Sequence, residues 1–199
     1  MKAQKLLPNI SRLGILILCL AFSQGSKAQT AYKIGPKPVM TLAGTSTLHN
    51  WSMTATSFTA NATMSLSSTN KLSGISALSL SLPVHNLKSE SDGMNSNAYE
   101  SLKADKNPNI TFKLTSAKVT SSGGSKYKIT AMGNLTIAGI TKPVTLNTSV
   151  TVNSNGSISC SGTLPILLSN FGIARPSFML GSMKVGDAMT MTYRLTLVK

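Results

Sequence analysis

The side chains that could carry out acid–base or metal chemistry are few in this sequence. Four of its five acids lie between residues 90 and 105, where they are typical of the solvated cap of a helix rather than of a paired-carboxylate site. His49 and His85 are the only histidines, and neither belongs to a His-x-His or His-Glu-x-x-His motif that could bind zinc. The inventory therefore predicts no catalytic carboxylate pair and no metal site.

Motifs for nucleophilic or phosphate chemistry are also lacking. Ser68-x-x-Lys71 and Ser125-x-x-Lys128 have the spacing of a serine–lysine pair, but both lie where hairpin turns are expected, in a sequence rich in serine and lysine. There is no Gly-x-Ser-x-Gly elbow and no phosphate-binding Gly-x-x-x-x-Gly-Lys motif. We therefore expect a protein that is not an enzyme and that uses no cofactor.

The first 28 residues have the features of a secretory signal peptide. Basic residues precede an apolar run from Leu13 to Phe22, and small residues follow at Ser26 and Ala28. The run is too short to span a membrane as a helix. We therefore expect a signal peptide over residues 1–28, cleavage before Gln29, and a mature domain of residues 29–199 in the periplasm or outside the cell.

The mature segment is strongly basic. It contains fifteen basic and five acidic side chains, a formal charge of +10. Its lysines are scattered, it has two arginines, and export would separate it from nucleic acid, so we expect no nucleic-acid partner. A solvated basic surface is the simplest interpretation, and contact with an anionic membrane surface is the alternative. The sequence is compatible with a monomer or a dimer.

A single cysteine, Cys160, lies in the mature segment. No internal disulfide is therefore expected, and the fold must be stabilised by burial alone. Cys160 falls in an alternating run with Ile158 and Leu164, which predicts a small core residue rather than a reactive thiol.

Alternation of apolar and polar residues with a period of two dominates the mature segment and predicts an all-β fold. The clearest run is Met189 to Val198, in which serine or threonine and other polar residues separate the apolar positions. The pattern predicts an antiparallel meander of strands near 109–119, 127–138, 144–153 and 157–168. Earlier strands near 38–44, 51–57, 58–67 and 73–83 are expected to form another. The joints include Asn155-Gly156 and a turn from Gly139 to Pro143.

Two stretches interrupt the strands. Residues 96–105 are predicted to form one short helix, because Asn97 and Glu100 are spaced as a capping box. Ser169–Val185 is predicted to be a long connection that contributes apolar side chains to a lid on the core.

Eight or more strands, each with one apolar face, can bury those faces in two ways. Two sheets can stack as a sandwich, or one sheet can close into a barrel of about eight strands. The interior of an eight-stranded barrel is either filled by side chains or holds one small apolar ligand. The alternation alone leaves both architectures open.

The chain also resembles the YceI-like family of exported proteins. The resemblance begins at Gly44-Thr45-Ser46-Thr47-Leu48-His49-Asn50-Trp51 and continues through six motifs in the family's order, over Tyr32 to Lys199. The later motifs are Leu87-Lys88-Ser89-Glu90, Tyr99-Glu100-Ser101-Leu102-Lys103, Pro108-x-Ile110-x-Phe112, Gly133-x-Leu135-Thr136-Ile137-x-Gly139-Ile140-Thr141-Lys142-Pro143, Phe171-Gly172-Ile173 and Met183-Lys184-Val185-Gly186-Asp187. The branch with this histidine–tryptophan motif usually has an acid where Asn50 stands.

The resemblance implies a lipocalin-like antiparallel barrel of the bacterial periplasm that encloses an amphipathic lipid, a polyisoprenoid above all. Such a carrier needs an apolar tunnel, a polar mouth and a lid. On alternation, the tunnel-wall candidates are Phe112, Val144, Leu146, Met189, Met191 and Tyr193. The lid candidates are Phe171 and Phe178, and the candidates for a polar end are His49 and Trp51.

The sequence also leaves other interpretations open. His49 can equally be a hydrogen-bonded structural residue, and Trp51 a core residue. A structural or adhesive β-sandwich without ligand accounts for the same alternation. An envelope enzyme that acts on a lipid or quinone is a further rival, which the scarcity of titratable side chains disfavours.

Overall fold

The computed structural model describes residues 29–178 and 182–199. The predicted signal peptide, residues 1–28, lies outside the described residues. No helix in the described part of the chain is long and apolar enough to cross a membrane.

The described residues form eleven antiparallel strands, eight of which close into a barrel. The strands are β1 (Gln29–Ile34), β2 (Val39–Ser46), β3 (Asn50–Ala55), β4 (Thr59–Leu66), β5 (Leu72–Pro83), β6 (Asn109–Ser121), β7 (Lys126–Ile137), β8 (Ile140–Val152), β9 (Ile158–Leu167), β10 (Ser177–Phe178) and β11 (Met183–Val198). Pairing runs through β1, β4, β5, β6, β7, β8, β9 and β11, and β11 pairs again with β1. Eight strands thus form a ring, which confirms the predicted barrel, and the alternative of two stacked sheets is wrong.

The alternation of the sequence sets which face of each strand is buried. On β11, Met189, Met191, Tyr193, Leu195 and Leu197 are all buried inside the barrel, and the intervening side chains face outward. Successive side chains of a strand point to opposite faces, so the period-two pattern places one apolar row inside. Cys160 is buried on β9, as predicted for a small core residue.

The barrel closes through two bent strands. β1 and β2 follow each other around a bend at residues 35–38, and β3 and β4 follow each other around residues 56–58. The prediction that the strands near 51–57 and 58–67 neighbour each other in a meander is wrong, because β3 pairs with β2 whereas β4 pairs with β1 and β5. The physical reason is that Phe58, between β3 and β4, is buried in the core. The chain therefore bends at Phe58 and continues around the barrel, and it does not form a hairpin turn there.

The two ends of the barrel differ. One end, which we call the floor, has the tight turns at 67–71, 122–125 and 153–157. The other end, which we call the mouth, has the β2–β3 hairpin tip at 47–49, the connection 84–108, the β7–β8 turn and the segment after β9. The longer connections of the mouth supply the parts that a ligand site needs.

The β7–β8 turn is tighter than predicted. Ala138 (φ 50°) and Gly139 (φ 83°) form a two-residue turn, and Pro143, which was expected in the joint, lies inside β8. Proline is tolerated there because this part of β8 pairs with β7 but not with β9. The pairing between β8 and β9 ends at Asn147 and Thr163, before it reaches Pro143.

The α-helix of the described residues begins earlier than predicted. Helix α1 spans Asp92–Ser101 rather than 96–105. The Ser91 hydroxyl caps it by accepting a hydrogen bond from the Met94 amide at 3.3 Å, and Asp92 places a carboxylate in the first turn, where the helix dipole favours it. Asn97, expected as the cap, lies inside the helix.

The predicted lid is shorter than 169–185 because β11 already starts at Met183. A 3₁₀ turn, Leu168–Phe171, follows β9, and β10 pairs with the start of β11. Phe171 is buried in this turn. The backbone of Phe178 lies in β10, and its side chain lies outside the described residues.

Candidate functional site

A narrow apolar chamber runs inside the barrel and is the first part of the candidate site. Its volume is about 90 Å³. Side chains of eight strands form its wall: β2, β4, β5, β6, β7, β8, β9 and β11. The wall residues are Met40, Leu42, Ala60, Met64, Ile75, Leu78, Leu80, Leu82, Ile110, Phe112, Ile129, Ala131, Leu135, Ile137, Leu146, Thr148, Val150, Cys160, Leu164, Ile166, Met191, Tyr193, Leu195 and Leu197.

Two hydroxyl groups face this chamber, and they bond to each other. The Tyr193 hydroxyl lies 2.6 Å from the Thr148 hydroxyl, so neither is left without a partner inside the barrel. Tyr193 fits because it lies against Gly162, where an added Cβ would lie 2.6 Å from the tyrosine Cζ. The chamber therefore presents an apolar surface whose polar atoms are already satisfied.

Burial keeps the titratable groups of the chamber neutral. Desolvation raises the pKa of Tyr193 above its ordinary value, against a smaller lowering by the bond with Thr148. Desolvation raises the pKa of the Cys160 thiol to about 12. At neutral pH both groups stay protonated, so the chamber offers neither a thiolate nor a phenolate to a ligand.

A wider cavity, which we call the vestibule, lies at the mouth. Its volume is about 470 Å³. Leu42 lines both the vestibule and the chamber and so lies between them. The other vestibule residues are Ser46, His49, Trp51, Met53, Leu87, Ser91, Gly93, Met94, Asn97, Ala98, Ser101, Leu102, Leu168, Ile173, Pro176, Met183, Val185 and Met189. The vestibule is thus apolar in its depth and has serine, asparagine and histidine side chains.

Helix α1 forms one wall of the vestibule. Met94, Ala98 and Leu102 are spaced four residues apart and therefore share one helix face. Two hydrogen bonds hold the helix against the segment that precedes it. The Tyr99 hydroxyl donates to the Leu87 carbonyl at 2.8 Å, and the buried Asn95 side chain accepts from the Ser89 amide at 2.7 Å. These bonds make α1 a fixed wall rather than a free flap.

His49 and Trp51 lie at the mouth. His49 is exposed at the hairpin tip, and its Nδ1 lies 3.0 Å from the Asn50 carbonyl. The Trp51 ring covers Gly44, where an added Cβ would be 2.8 Å from the ring Cε2, and its Nε1 donates to the Thr45 carbonyl at 3.1 Å. Both side chains line the vestibule, and both also have the hydrogen bonds expected of structural residues.

A groove lies on the same end of the barrel, where β8 and β9 separate beyond Asn147 and Thr163. The 3₁₀ turn Leu168–Phe171 contacts β8, β9 and β11 there. Asp187 holds this turn: its two carboxylate oxygens accept from the Ser169 amide at 2.8 Å and from the Ser169 hydroxyl at 2.7 Å. These hydrogen bonds lower the pKa of Asp187, so at neutral pH the carboxylate is ionised and accepts both bonds from Ser169.

The sequence-predicted residues divide among these three spaces. Phe112, Leu146, Met191 and Tyr193 line the chamber. Met189 lines both the vestibule and the groove. Val144 and Phe171 line the groove.

The vestibule residues that the sequence did not point to include Leu42 on β2, Met53 on β3 and the residues of α1. Leu42 lies on β2, one of whose partners, β11, is distant in sequence, and Met53 lies opposite Leu42 on β3, which forms a hairpin with β2. Met94, Ala98 and Leu102 had a detectable signal, the four-residue spacing of an amphipathic helix, which the misplaced helix start at 96 concealed.

Among residues 29–178 and 182–199, no three histidine, cysteine, aspartate or glutamate side chains come together as a metal site. The groups that line the chamber and vestibule offer hydrogen bonds and apolar contact. The arrangement suits enclosure of a molecule with a long apolar part and a small polar part.

Comparison with known proteins agrees with this geometry. A sequence model of the YceI-like domain matches residues 35–197. The chain is similar in structure to Burkholderia cenocepacia BcnA, with 20% identity, a TM-score of 0.62, and coverage of 80% of this chain and 95% of that chain. It is also similar to a polyisoprenoid binding domain from Saccharophagus degradans implicated in plant cell wall breakdown, with 9% identity, a TM-score of 0.60, and coverage of 83% and 97%.

The Campylobacter jejuni YCEI protein is a third structural relative, with 21% identity, a TM-score of 0.51, and coverage of 70% of this chain and 81% of that chain. At these identities the structural likeness shows the fold. No curated protein matches the chain. The family match spans most of the sequence and includes the strands that build the chamber, and on that ground the chain belongs to the YceI-like family.

Proposed function

We propose that the protein is an exported, non-enzymatic carrier that encloses an amphipathic lipid, a polyisoprenoid in particular, with the tail in the chamber and the polar head in the vestibule. The apolar chamber supports this function most strongly. Its two hydroxyl groups bond to each other, and it adjoins the wider vestibule at Leu42. The name of the Saccharophagus degradans domain, a polyisoprenoid binding domain, supports the same ligand class.

The energetics favour a long apolar tail. Each methylene group that moves from water into an apolar cavity contributes about 0.8 kcal/mol, so a prenyl chain needs no strong polar contact. The vestibule volume of about 470 Å³ lies within the range of roughly 300–1,000 Å³ that small-molecule pockets show. The chamber is narrower, and Met40, Met64 and Met191 in its wall are flexible side chains that can change rotamer to admit a tail.

The vestibule favours an uncharged head. Its polar side chains are Ser46, Ser91, Asn97, Ser101 and His49, which offer hydrogen bonds rather than the cationic groups that a phosphate would need. The same inventory supports a binding protein rather than an enzyme, because the buried titratable groups of the chamber, Tyr193 and Cys160, are held neutral.

Export is part of the proposal. The basic amino end, the apolar run from Leu13 to Phe22 and the small residues before Gln29 support a cleaved signal peptide and a periplasmic location. Amino-terminal sequencing of protein from an envelope extract tests this, since a chain that retains Met1 would contradict it.

Substitutions on the two faces of β8 test the carrier function. Leu146→Gln places an amide in the chamber wall, where desolvation by a bound tail costs about 1–3 kcal/mol and should evict lipid. Thr145→Gln, one residue away on the exposed outer face, is the matched control and should bind normally. The readout is prenyl alcohol taken up per mole of folded protein. Equal uptake by the unmodified chain and the Leu146 variant would contradict the proposal.

A further inference from the structure

The charges of this protein are segregated along the barrel axis. All five carboxylate side chains lie at the mouth, four of them in the connection between β5 and β6 and Asp187 near the start of β11. Six cationic side chains share that end and nearly balance them. They are Lys88, Lys103, Lys106, Lys142, Arg175 and Lys184.

The floor has the opposite character, because its charged side chains are lysines without any acid among them. Lys71, Lys118, Lys126 and Lys128 are all exposed there. On the β6–β7 ladder Lys118 pairs with Thr130 and Lys128 pairs with Thr120, so the two lysines are diagonal neighbours about 7–8 Å apart.

The turn that holds Lys71 lies beside this ladder. The Leu72 amide donates to the Tyr127 hydroxyl at 3.3 Å, which fixes the 67–71 turn next to the start of β7. Like charges this close repel one another, and a counter-charged partner would relieve the repulsion.

The chemistry of the patch indicates a diffuse anionic surface. Its cations are lysines, which act as hydrated point charges, whereas arginine would be expected for bidentate recognition of a single phosphate. Serine and threonine surround them on the turn and the ladder (Ser121, Ser122, Thr120 and Thr130). This surface matches the headgroup layer of an anionic bilayer. Each lysine close to such a layer raises the binding constant of the protein by a factor of roughly five.

We propose that the floor of the barrel docks on an anionic lipid bilayer and that the mouth then faces away from it. β7 has 12 residues, which span about 40 Å along the strand and roughly 30 Å along the axis of a tilted barrel. Docking by the floor therefore keeps the vestibule beyond the headgroup layer, open to a partner in solution. This proposal does not depend on what occupies the chamber.

Vesicle binding by matched charge variants tests the proposal. The floor variant combines Lys118→Gln, Lys126→Gln and Lys128→Gln, and the mouth variant combines Lys103→Gln, Lys106→Gln and Lys184→Gln, so both lose the same net charge. Cosedimentation is measured with vesicles of phosphatidylglycerol and phosphatidylcholine, and with phosphatidylcholine alone, at low salt and at 1 M salt, where the Debye length falls to about 3 Å. We expect the unmodified chain to bind only the anionic vesicles at low salt.

The floor variant should bind these vesicles about a hundredfold more weakly than the unmodified chain, and the mouth variant should bind nearly normally. Absence of binding by the unmodified chain, or equal losses in the two variants, would overturn the proposal. Trp51, the one tryptophan of the chain, gives a test without substitution because it lies at the mouth. Bilayers with brominated acyl chains should leave its fluorescence unquenched in the bound protein, and quenching would mean that the mouth docks instead.

Discussion

The hydroxyl pair inside the barrel allows a quantitative test of the chamber as an apolar space. Tyr193→Phe leaves the Thr148 hydroxyl without its partner, and Thr148→Val leaves the Tyr193 hydroxyl without its own, because the two lie 2.6 Å apart among apolar side chains. An unsatisfied buried hydroxyl costs about 1–3 kcal/mol. Thr148 is only part-buried, so we expect each single variant to lower the free energy of unfolding by about 1 kcal/mol, the lower end of that range.

The double variant should behave differently from the sum of the two. Removing both hydroxyls leaves an apolar contact with no orphaned group, and such paired replacements can be nearly neutral. The double-mutant cycle should therefore give a coupling energy of about 1 kcal/mol, measured by urea unfolding of the ligand-free protein. Additive losses would refute the reasoning, because they would mean that water already satisfies each hydroxyl.

The same variants separate a chamber for the tail from a chamber for the head. If the tail occupies the chamber, the double variant has a fully apolar wall and should bind a prenyl alcohol at least as tightly as the unmodified chain. If the Tyr193 and Thr148 hydroxyls instead bind a polar head, the double variant should lose affinity, which would contradict the proposed orientation of the ligand.

Three further predictions concern single side chains. Cys160 should react with thiol reagents only after unfolding, because burial raises its pKa to about 12, and Cys160→Ala should cost about 1 kcal/mol; rapid labelling of native protein would contradict its place in the core. Asp187→Asn should lower the free energy of unfolding at neutral pH through its bonds with Ser169. Since the folded pKa of Asp187 is lowered, that contribution is present above the ordinary aspartate pKa of about 3.9 and is lost as pH falls through the folded value. The free energies of unfolding of the variant and the unmodified protein, measured with urea, should therefore converge in strong acid. An undiminished difference there would count against a stabilising role for the Asp187–Ser169 hydrogen bonds. Gly44→Ala should displace Trp51, because the added Cβ would lie 2.8 Å from the ring Cε2, and an unchanged tryptophan emission maximum would contradict that contact.

Much of the barrel was predictable from local pattern, because the side-chain period of a strand is fixed by backbone geometry. That period alone placed Phe112, Leu146, Met191 and Tyr193 on one side, and all four line the chamber. Val144 has the same parity as Leu146 but lines the groove, because the β8–β9 ladder has ended before it reaches that height. Where a ladder ends depends on the partner strand, which the local pattern does not contain.

The vestibule was less predictable for a related reason. Part of its wall comes from the β2–β3 hairpin, whose position depends on the pairing of β2 with β11, far away in sequence, as at Leu42 and Met191. The helix start was misplaced because Ser91 and Asn97 are both good capping residues, and only the structure shows that Ser91 accepts the bond from Met94. The strand β1 was not predicted at all, although its pairing with β4 and β11 closes the ring.

Native mass spectrometry of protein purified from its own organism shows whether the chamber and vestibule hold a lipid. We expect a complex whose added mass is that of one amphipathic lipid per chain, which organic solvent extracts and whose fragments show a prenyl chain. We also expect the extracted protein to take up a prenyl alcohol again. Protein that carries no lipid from its native source and takes up no prenyl compound would contradict the carrier function.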